Sequence, residues 1–325
     1  MVNLRVTALI RGIFLHITIR ILRKVAVCLH INTTMQKRLK GDFIMKCPAS
    51  VWTPYFDELS AEEAIARLAK AGFTHGELSI PHLGQLMERD TPEAVGKALR
   101  QYADSVGFSL SEGHLSFIGG LCDDAALERL MPELDMFAAC GIEKAVIHTN
   151  GGNDLSDQER YDRWIHYLRK LSEYVEGTGV TICIENMFGI AQCRSAKQIK
   201  KMIKDAGEKN FAICLDTGHL HLSIANKVVD ESQRDFILES GDLLQAMHIV
   251  DNNGLGDVHQ MPYSARYGVD WKEVMKALHE IDYSGLFNLE CIGERNAPMP
   301  IKEAKLTFIR AMCDYMLSDE FIAEG

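Results

Sequence analysis

The chain has 325 residues, 47% of them hydrophobic and 25% charged, and a formal net charge of −10 at pH 7. That length holds a substantial core in one large α/β domain or two smaller ones, and the acidic balance argues against a partner bound mainly through phosphates. Nine cysteines are present, but Cys183, Cys214 and Cys291 lie inside apolar runs and no CxxC pair occurs, so free thiols in a reducing cytosol are expected rather than a secreted disulfide scaffold.

Residues 1–44 stand apart: Arg5, Arg11, Arg20, Arg23, Lys24, Lys37, Arg38 and Lys40 face one acid, Asp42. Arginines interrupt the apolar stretch too often for a bilayer span, and it lacks the clean apolar core and cleavage site of a signal peptide. A basic helix lying on a membrane surface is one reading. An extension outside the fold, with Met45 opening the first strand, is the reading taken here, and no membrane association is expected.

From Met45 onward, apolar runs of strand length alternate with stretches of helical period. "CPASVWT" (47–53) is the first strand. "SAEEAIARLAKAG" (60–72) is a helix opened by the capping-box spacing of Ser60 and Glu63 and stopped at Gly72. "HGELSI" (75–80) follows, then the helix "TPEAVGKALRQYADSVG" (91–107) and the strand "SLSEGHLSF" (109–117). The later strands are "KAVIHTN" (144–150), "VTICIENM" (180–187), "FAICLDTGH" (211–219) and "QAMHIVD" (245–251). The helix "DWKEVMKALHEI" (270–281), N-capped by Asp270, leads to the last strand, "LFNLECIG" (286–293). Eight strands alternating with helices, with no linker, predict a single (β/α)8 barrel, α/β in class, over residues 45–325. An open doubly wound sheet would show a Gly-rich phosphate turn after its first strand, and "VWTPYFDEL" has none.

Polar residues recur where the strands end: His114, His148, Glu185, Asp216 with His219, His248 and Glu290. Asp251, Asp257 and His259 follow the seventh strand. In a barrel these ends share one mouth. Each residue alone reads as structural or as a rim charge, but converging carboxylates without counter-charges repel strongly in a low dielectric. A divalent cation removes the repulsion and uses the imidazoles. Glu185, Asp216, His248 and Glu290 make a mixed oxygen and nitrogen set suited to Mn²⁺ and related ions, and the lack of Cys among them argues against a structural zinc knot.

"CIENMFG", "CLDTGHLHL", "MHIVDNNGLGDVH", "GVDW" and "LFNLE" resemble the xylose isomerase-like TIM-barrel superfamily, over residues 46–318. The group includes sugar isomerases, ketose 3-epimerases, inosose dehydratases and endonuclease IV. The epimerase branch implies that Glu185, Asp216, His248 and Glu290 bind one divalent metal. It also implies that Glu185 and Glu290 exchange a proton beside a carbonyl from opposite faces of the sugar, through a metal-stabilised enediolate. His219 would then hold a substrate oxygen, and Gly218 would let the backbone pass close by. The resemblance further implies a homo-oligomer. Two departures stand out. Ketose 3-epimerases carry an Arg after the seventh-strand His, where this chain reads Asn252, Asn253 and Gly254. Asp257 and His259, with His114 and His148, complete the nine-residue set that holds three zinc ions in endonuclease IV.

The resulting expectation is a cytoplasmic, divalent-metal-dependent sugar or sugar-phosphate isomerase or epimerase. Mn²⁺ is the expected ion, with Zn²⁺, Co²⁺ or Mg²⁺ as alternatives. Glu185 and Glu290 are the catalytic pair, and His219, His114, His148 and Arg266 contact substrate. Asp257 and His259 are candidates for an additional metal. The alternatives are an endonuclease IV-like multi-zinc phosphodiesterase and a metal-dependent lyase or dehydratase acting on a keto-sugar or cyclitol. The acidic balance and the lack of a basic loop with wedging side chains weigh against nucleic acid as a partner. Glu77, Glu112 and His221 read as structural, Trp52 and Phe188 as candidate pocket walls, and Glu294 with Arg295 as a rim ion pair.

Overall fold

The computed structural model describes residues 47–190, 192–294 and 296–323, so the predicted extension at 1–44, Met45 and Arg295 lie outside the described residues. Eight strands follow in order: β1 (Ala49–Trp52), β2 (His75–Leu78), β3 (Ser109–His114), β4 (Lys144–Ile147), β5 (Thr181–Glu185), β6 (Phe211–Asp216), β7 (Leu244–Ile249) and β8 (Phe287–Leu289). They pair in parallel in sequence order, and β8 closes on β1 through Ser50 opposite Asn288. The helices between them are α1 (Ala61–Lys70), α2 (His82–Met87), α3 (Pro92–Ser105), α4 (Asp124–Cys140), α5 (Asp157–Tyr174), α6 (Ala196–Ala206), α7 (Thr217–Ala225), α8 (Gln233–Ser240) and α9 (Trp271–Glu280). After β8 come α10 (Met299–Met316) and α11 (Asp319–Ala323). The described residues form a single (β/α)8 barrel, as the alternation of the sequence predicts.

Local chemistry sets the helix ends. Capping boxes open α1 (Ser60, Glu63), α5 (Ser156, Glu159), α6 (Ser195, Gln198) and α8 (Ser232, Asp235), each pairing an orphan N–H with a side-chain oxygen. Asp270 caps α9 by accepting from the Glu273 N–H. Gly207, at φ +118°, closes α6 in a left-handed conformation that costs glycine little.

The strands are shorter than their apolar runs suggest. "FAICLDTGH" stops at Asp216 because that carboxylate N-caps α7, its Oδ1 accepting from the His219 N–H at 2.6 Å. His219 is therefore in the first turn of a helix. Gly218 is required by close approach: a Cβ there would sit 2.8 Å from Val250 Cγ1 and 2.9 Å from Asn252 Nδ2, and Asn252 Nδ2 donates to Gly218 O at 2.9 Å.

Period-two alternation stacks two tiers of side chains along the strands. Glu112, Val146, Cys183, Cys214, Ala246 and Asn288 lie two residues before His114, His148, Glu185, Asp216, His248 and Glu290. Val146, Cys183, Ala212, Cys214 and Ala246 form an apolar cluster of their own, a floor of small side chains beneath the polar mouth. The eight described cysteines are buried and free, and burial pushes the Cys291 thiol up to about 12, which leaves it protonated.

Candidate metal centre and substrate cleft

Glu185 is the hub of the mouth. Its Oε2 lies 2.9 Å from His148 Nε2, 3.3 Å from His114 Nε2 and 3.4 Å from His248 Nδ1, and its Oε1 lies 3.1 Å from His219 Nδ1. His248 Nδ1 is also 3.5 Å from Glu290 Oε2. Donor atoms of Glu185, Asp216 and His219 fall within 4.8 Å of one another, as do those of His114, His148 and Glu185. Asp257 Oδ2 adds contacts to His219 Nε2 at 3.3 Å and His259 Nε2 at 3.5 Å. Glu185, Asp216, His248 and Glu290 are thus gathered from β5, β6, β7 and the residue after β8, each buried. His114, His148, His219, Asp257 and His259 surround them.

Several rings have one nitrogen committed outside the cluster. Backbone carbonyls only accept, so the contacts of His114 Nδ1 to Leu115 O (2.7 Å), His219 Nδ1 to Asn186 O (3.0 Å) and His259 Nδ1 to Glu290 O (2.9 Å) put a hydrogen on each Nδ1. The Nε2 atoms of His114 and His259 turn inward, whereas His219 also faces Glu185 through Nδ1 and meets Asp257 through Nε2. His248 is reversed: Nε2 meets Glu77 Oε2 at 2.9 Å, leaving Nδ1 inward. His148, whose Nε2 also points at Glu185, is stacked on Phe117 at 4.8 Å between ring centroids. His259 has φ +45°, an uncommon backbone state for a non-glycine residue, and its ring stacks on Trp52 at 5.3 Å.

The donor set fits a divalent cation. Asp216 Oδ2 and His248 Nδ1 are buried without a hydrogen-bond partner, a costly state for polar atoms unless a cation collects them. In the metal-free chain, protons take the cation's place. Burial opposes charge on Glu185, but His148 and His248 beside it hold its carboxyl well below the usual range. Burial would discharge His219, yet Asp216, Asp257 and Glu185 keep its imidazole well above its ordinary value. Burial lifts Glu290 to about 7 against the pull of His248, with Glu77 adding to the rise.

A cleft of about 600 Å³ opens over the cluster. His114, His148, Glu185, His219, Asp257, His259 and Glu290 form its polar floor, and Trp52, Ile80, Pro81, Phe117, Met187 and Phe188 its apolar walls. The candidate walls Trp52 and Phe188 are both present. Arg266, expected to contact substrate, is not brought to the cleft lining: it is exposed, and its guanidinium lies 5.0 Å from the Tyr267 ring centroid. Cation–π contact holds it on the outer part of the loop after β7. Glu294 forms an ion pair with Lys305 at 2.6 Å; its predicted rim partner Arg295 lies outside the described residues. His221 is structural, its Nε2 3.1 Å from Tyr267 O. Asp251 serves the fold, accepting from the Val269 N–H at 3.0 Å and the Trp271 indole at 3.3 Å. Sequence reasoning missed Asn186, whose amide pairs with both the N–H and the carbonyl of Asp216. Its place directly after Glu185 was the available signal.

A family model described as the xylose isomerase-like TIM barrel matches residues 65–312, well over half the chain, and the protein belongs to that family. Among curated relatives, the D-psicose 3-epimerase of Agrobacterium fabrum is 24% identical over 246 residues, covering 70% of this chain and 77% of that protein. Among solved structures, a D-psicose 3-epimerase from Clostridium cellulolyticum superposes with a TM-score of 0.69 at 17% identity, covering 83% of this chain and 99% of that one. A 3-keto-D-glucoside 4-epimerase from E. coli gives a TM-score of 0.62 at 17% identity, covering 82% and 99%. At these identities the structural matches establish the fold; the relatives named are sugar epimerases.

Proposed function

We propose that this protein is a metal-dependent epimerase or isomerase of a neutral sugar, with Glu185 and Glu290 as its proton-transfer pair. One observation carries the reading: two buried carboxylates flank the same His248 nitrogen, at 3.4 and 3.5 Å, on the floor of the cleft. Glu185 accepts a proton from the carbon beside a carbonyl. Glu290 returns one to the opposite face. His219, anchored through Nδ1–H to Asn186 O, orients a substrate oxygen beside Asp257, whose Oδ2 meets the ring's Nε2 at 3.3 Å. Phe117, Phe188 and Trp52 cover the sugar's C–H faces and keep water from the reacting carbon. A divalent ion held by Glu185, Asp216, His248 and Glu290, for which Mn²⁺ suits the donor set, would polarise the carbonyl and lower the acidity barrier of its neighbour. The hydroxyl, amide, imidazole and carboxylate groups of the cleft match a polyhydroxylated uncharged ligand, so the neutral form is preferred to a sugar phosphate.

The test is a panel of ketoses and keto-sugars incubated in D₂O with Mn²⁺-loaded protein. The expected outcome is an epimer carrying one solvent deuterium, and Glu290→Gln should lower turnover on the order of 10²–10⁴-fold. Full activity of that variant with its metal in place would refute the assignment. A second reading, phosphodiester hydrolysis at a multinuclear centre, is favoured by one specific feature. His114 and His148 bring their Nε2 atoms within 3.1 Å of each other beside Glu185, an arrangement that suits a further ion. Elemental analysis separates the two: about one ion per chain supports proton transfer, and two or three zinc ions favour hydrolysis.

A further inference from the structure

We infer that Glu77, on β2, is the positioning residue that makes His248 a metal ligand through Nδ1. The inference rests on the reading of His248 as a ligand given above. Three of the inward rings are fixed by backbone carbonyls: His114, His219 and His259. His248 is fixed by a carboxylate instead. Glu77 Oε2 lies 2.9 Å from His248 Nε2 and also accepts from Asn288 Nδ2 at 2.8 Å, while Asn288 Oδ1 accepts from Ser50 Oγ at 2.8 Å. All four residues are 0% exposed, and they come from β1, β2, β7 and β8. The chain of hydrogen bonds therefore crosses the seam where the barrel closes.

The tautomer follows from this chain. With both donors pointing at Oε2, Glu77 accepts the imidazole N–H, so Nε2 carries the hydrogen and the Nδ1 lone pair faces Glu185 and Glu290. Nδ1 has no hydrogen-bond partner of its own. A carboxylate behind a ligating imidazole fixes ring rotation and raises its donor strength, which a backbone carbonyl does less well. Ser50 and Asn288 in turn fix the Glu77 carboxylate, so ring, carboxylate and barrel closure form one rigid unit. Glu77 does not line the cleft; its carboxylate bonds the His248 ring and lies within 4.8 Å of a Glu290 oxygen, so it reaches the chemistry through these two neighbours.

Glu77→Gln keeps the volume and removes the charge. Titration of metal-free protein with Mn²⁺ should show affinity about 10–100-fold weaker than wild type, while thermal unfolding in chelator stays near the wild-type value. Glu77→Asp should recover part of the affinity. Equal Mn²⁺ affinity in wild type and Glu77→Gln overturns the inference, and a wild-type chain that binds no divalent ion overturns it together with the proposed function. Should Glu77→Gln fail to fold, ¹⁵N shifts of His248 in Zn²⁺-loaded wild type decide: Nε2–H with Nδ1 on the metal upholds the inference, and metal on Nε2 overturns it.

Discussion

Glu231, in the loop before α8, shows how one carboxylate can set a pH-dependent stability. Burial lifts it to about 7, and acceptance of the Ala196 N–H at 3.0 Å only partly offsets this. A carboxyl raised on folding binds protons in the native state that the unfolded chain has released. Its contribution therefore favours the fold below the unfolded value and turns unfavourable as pH rises through about 7. Glu231→Gln keeps the acceptor and removes the ionisation. Because the group is only half-buried, solvent screening limits the gain to on the order of 1 kcal/mol. Urea unfolding should place that gain at pH 8 and show little difference at pH 5; equal stability at both would contradict the account. In the centre itself, Glu290 is lifted to about 7, and His248, which burial would discharge, is held well above its ordinary value by Cys214 and Glu290 beside it, so protons occupy donor atoms of the proposed ligand set before metal binds. Metal must displace them, so Mn²⁺ affinity should weaken as pH falls below about 7. Calorimetry in buffers of different ionisation enthalpy should record proton release on binding.

At the scale of elements, α3 and α4 approach each other closely at Gly96. Gly96 sits mid-helix, where glycine ordinarily costs about 1 kcal/mol against alanine. Here a Cβ would fall 2.4 Å from Met136 O and 2.8 Å from Ala139 Cβ. Backbone on the far side cannot yield as a side-chain end would, so the propensity gain is overridden. Gly96→Ala should destabilise by about 1–3 kcal/mol in urea unfolding, and a stabilised variant would show that the helices can separate freely. The sequence marked this stretch as a helix, "TPEAVGKALRQYADSVG" (91–107), stopped at Gly107. Nothing in its periodicity marked Gly96 as a contact, because close approach is a property of two helices and not of one.

At the scale of the molecule, barrel closure converts strand order into a site. Alternating apolar runs and amphipathic stretches made the (β/α)8 architecture legible, since parallel strands buried on both faces read as continuous hydrophobic runs. The polar residues ending those runs were legible too: Glu185, Asp216, His248 and Glu290 are where the strand ends predict. Arg266 was not, because the course of the long loop after β7 is set by contacts such as His221 Nε2 to Tyr267 O, which no local pattern encodes.

The eightfold alternation, the caps at Ser60 and Asp270 and the identity of the residues at the mouth were legible in the chain, because each depends on neighbours a few positions away. Only the tertiary structure decided which nitrogen of each imidazole faces the centre. It also showed that Glu77 stands behind His248, 171 residues away along the chain. Those assignments depend on hydrogen-bond acceptors contributed by other strands, and they exist only once β8 has closed on β1.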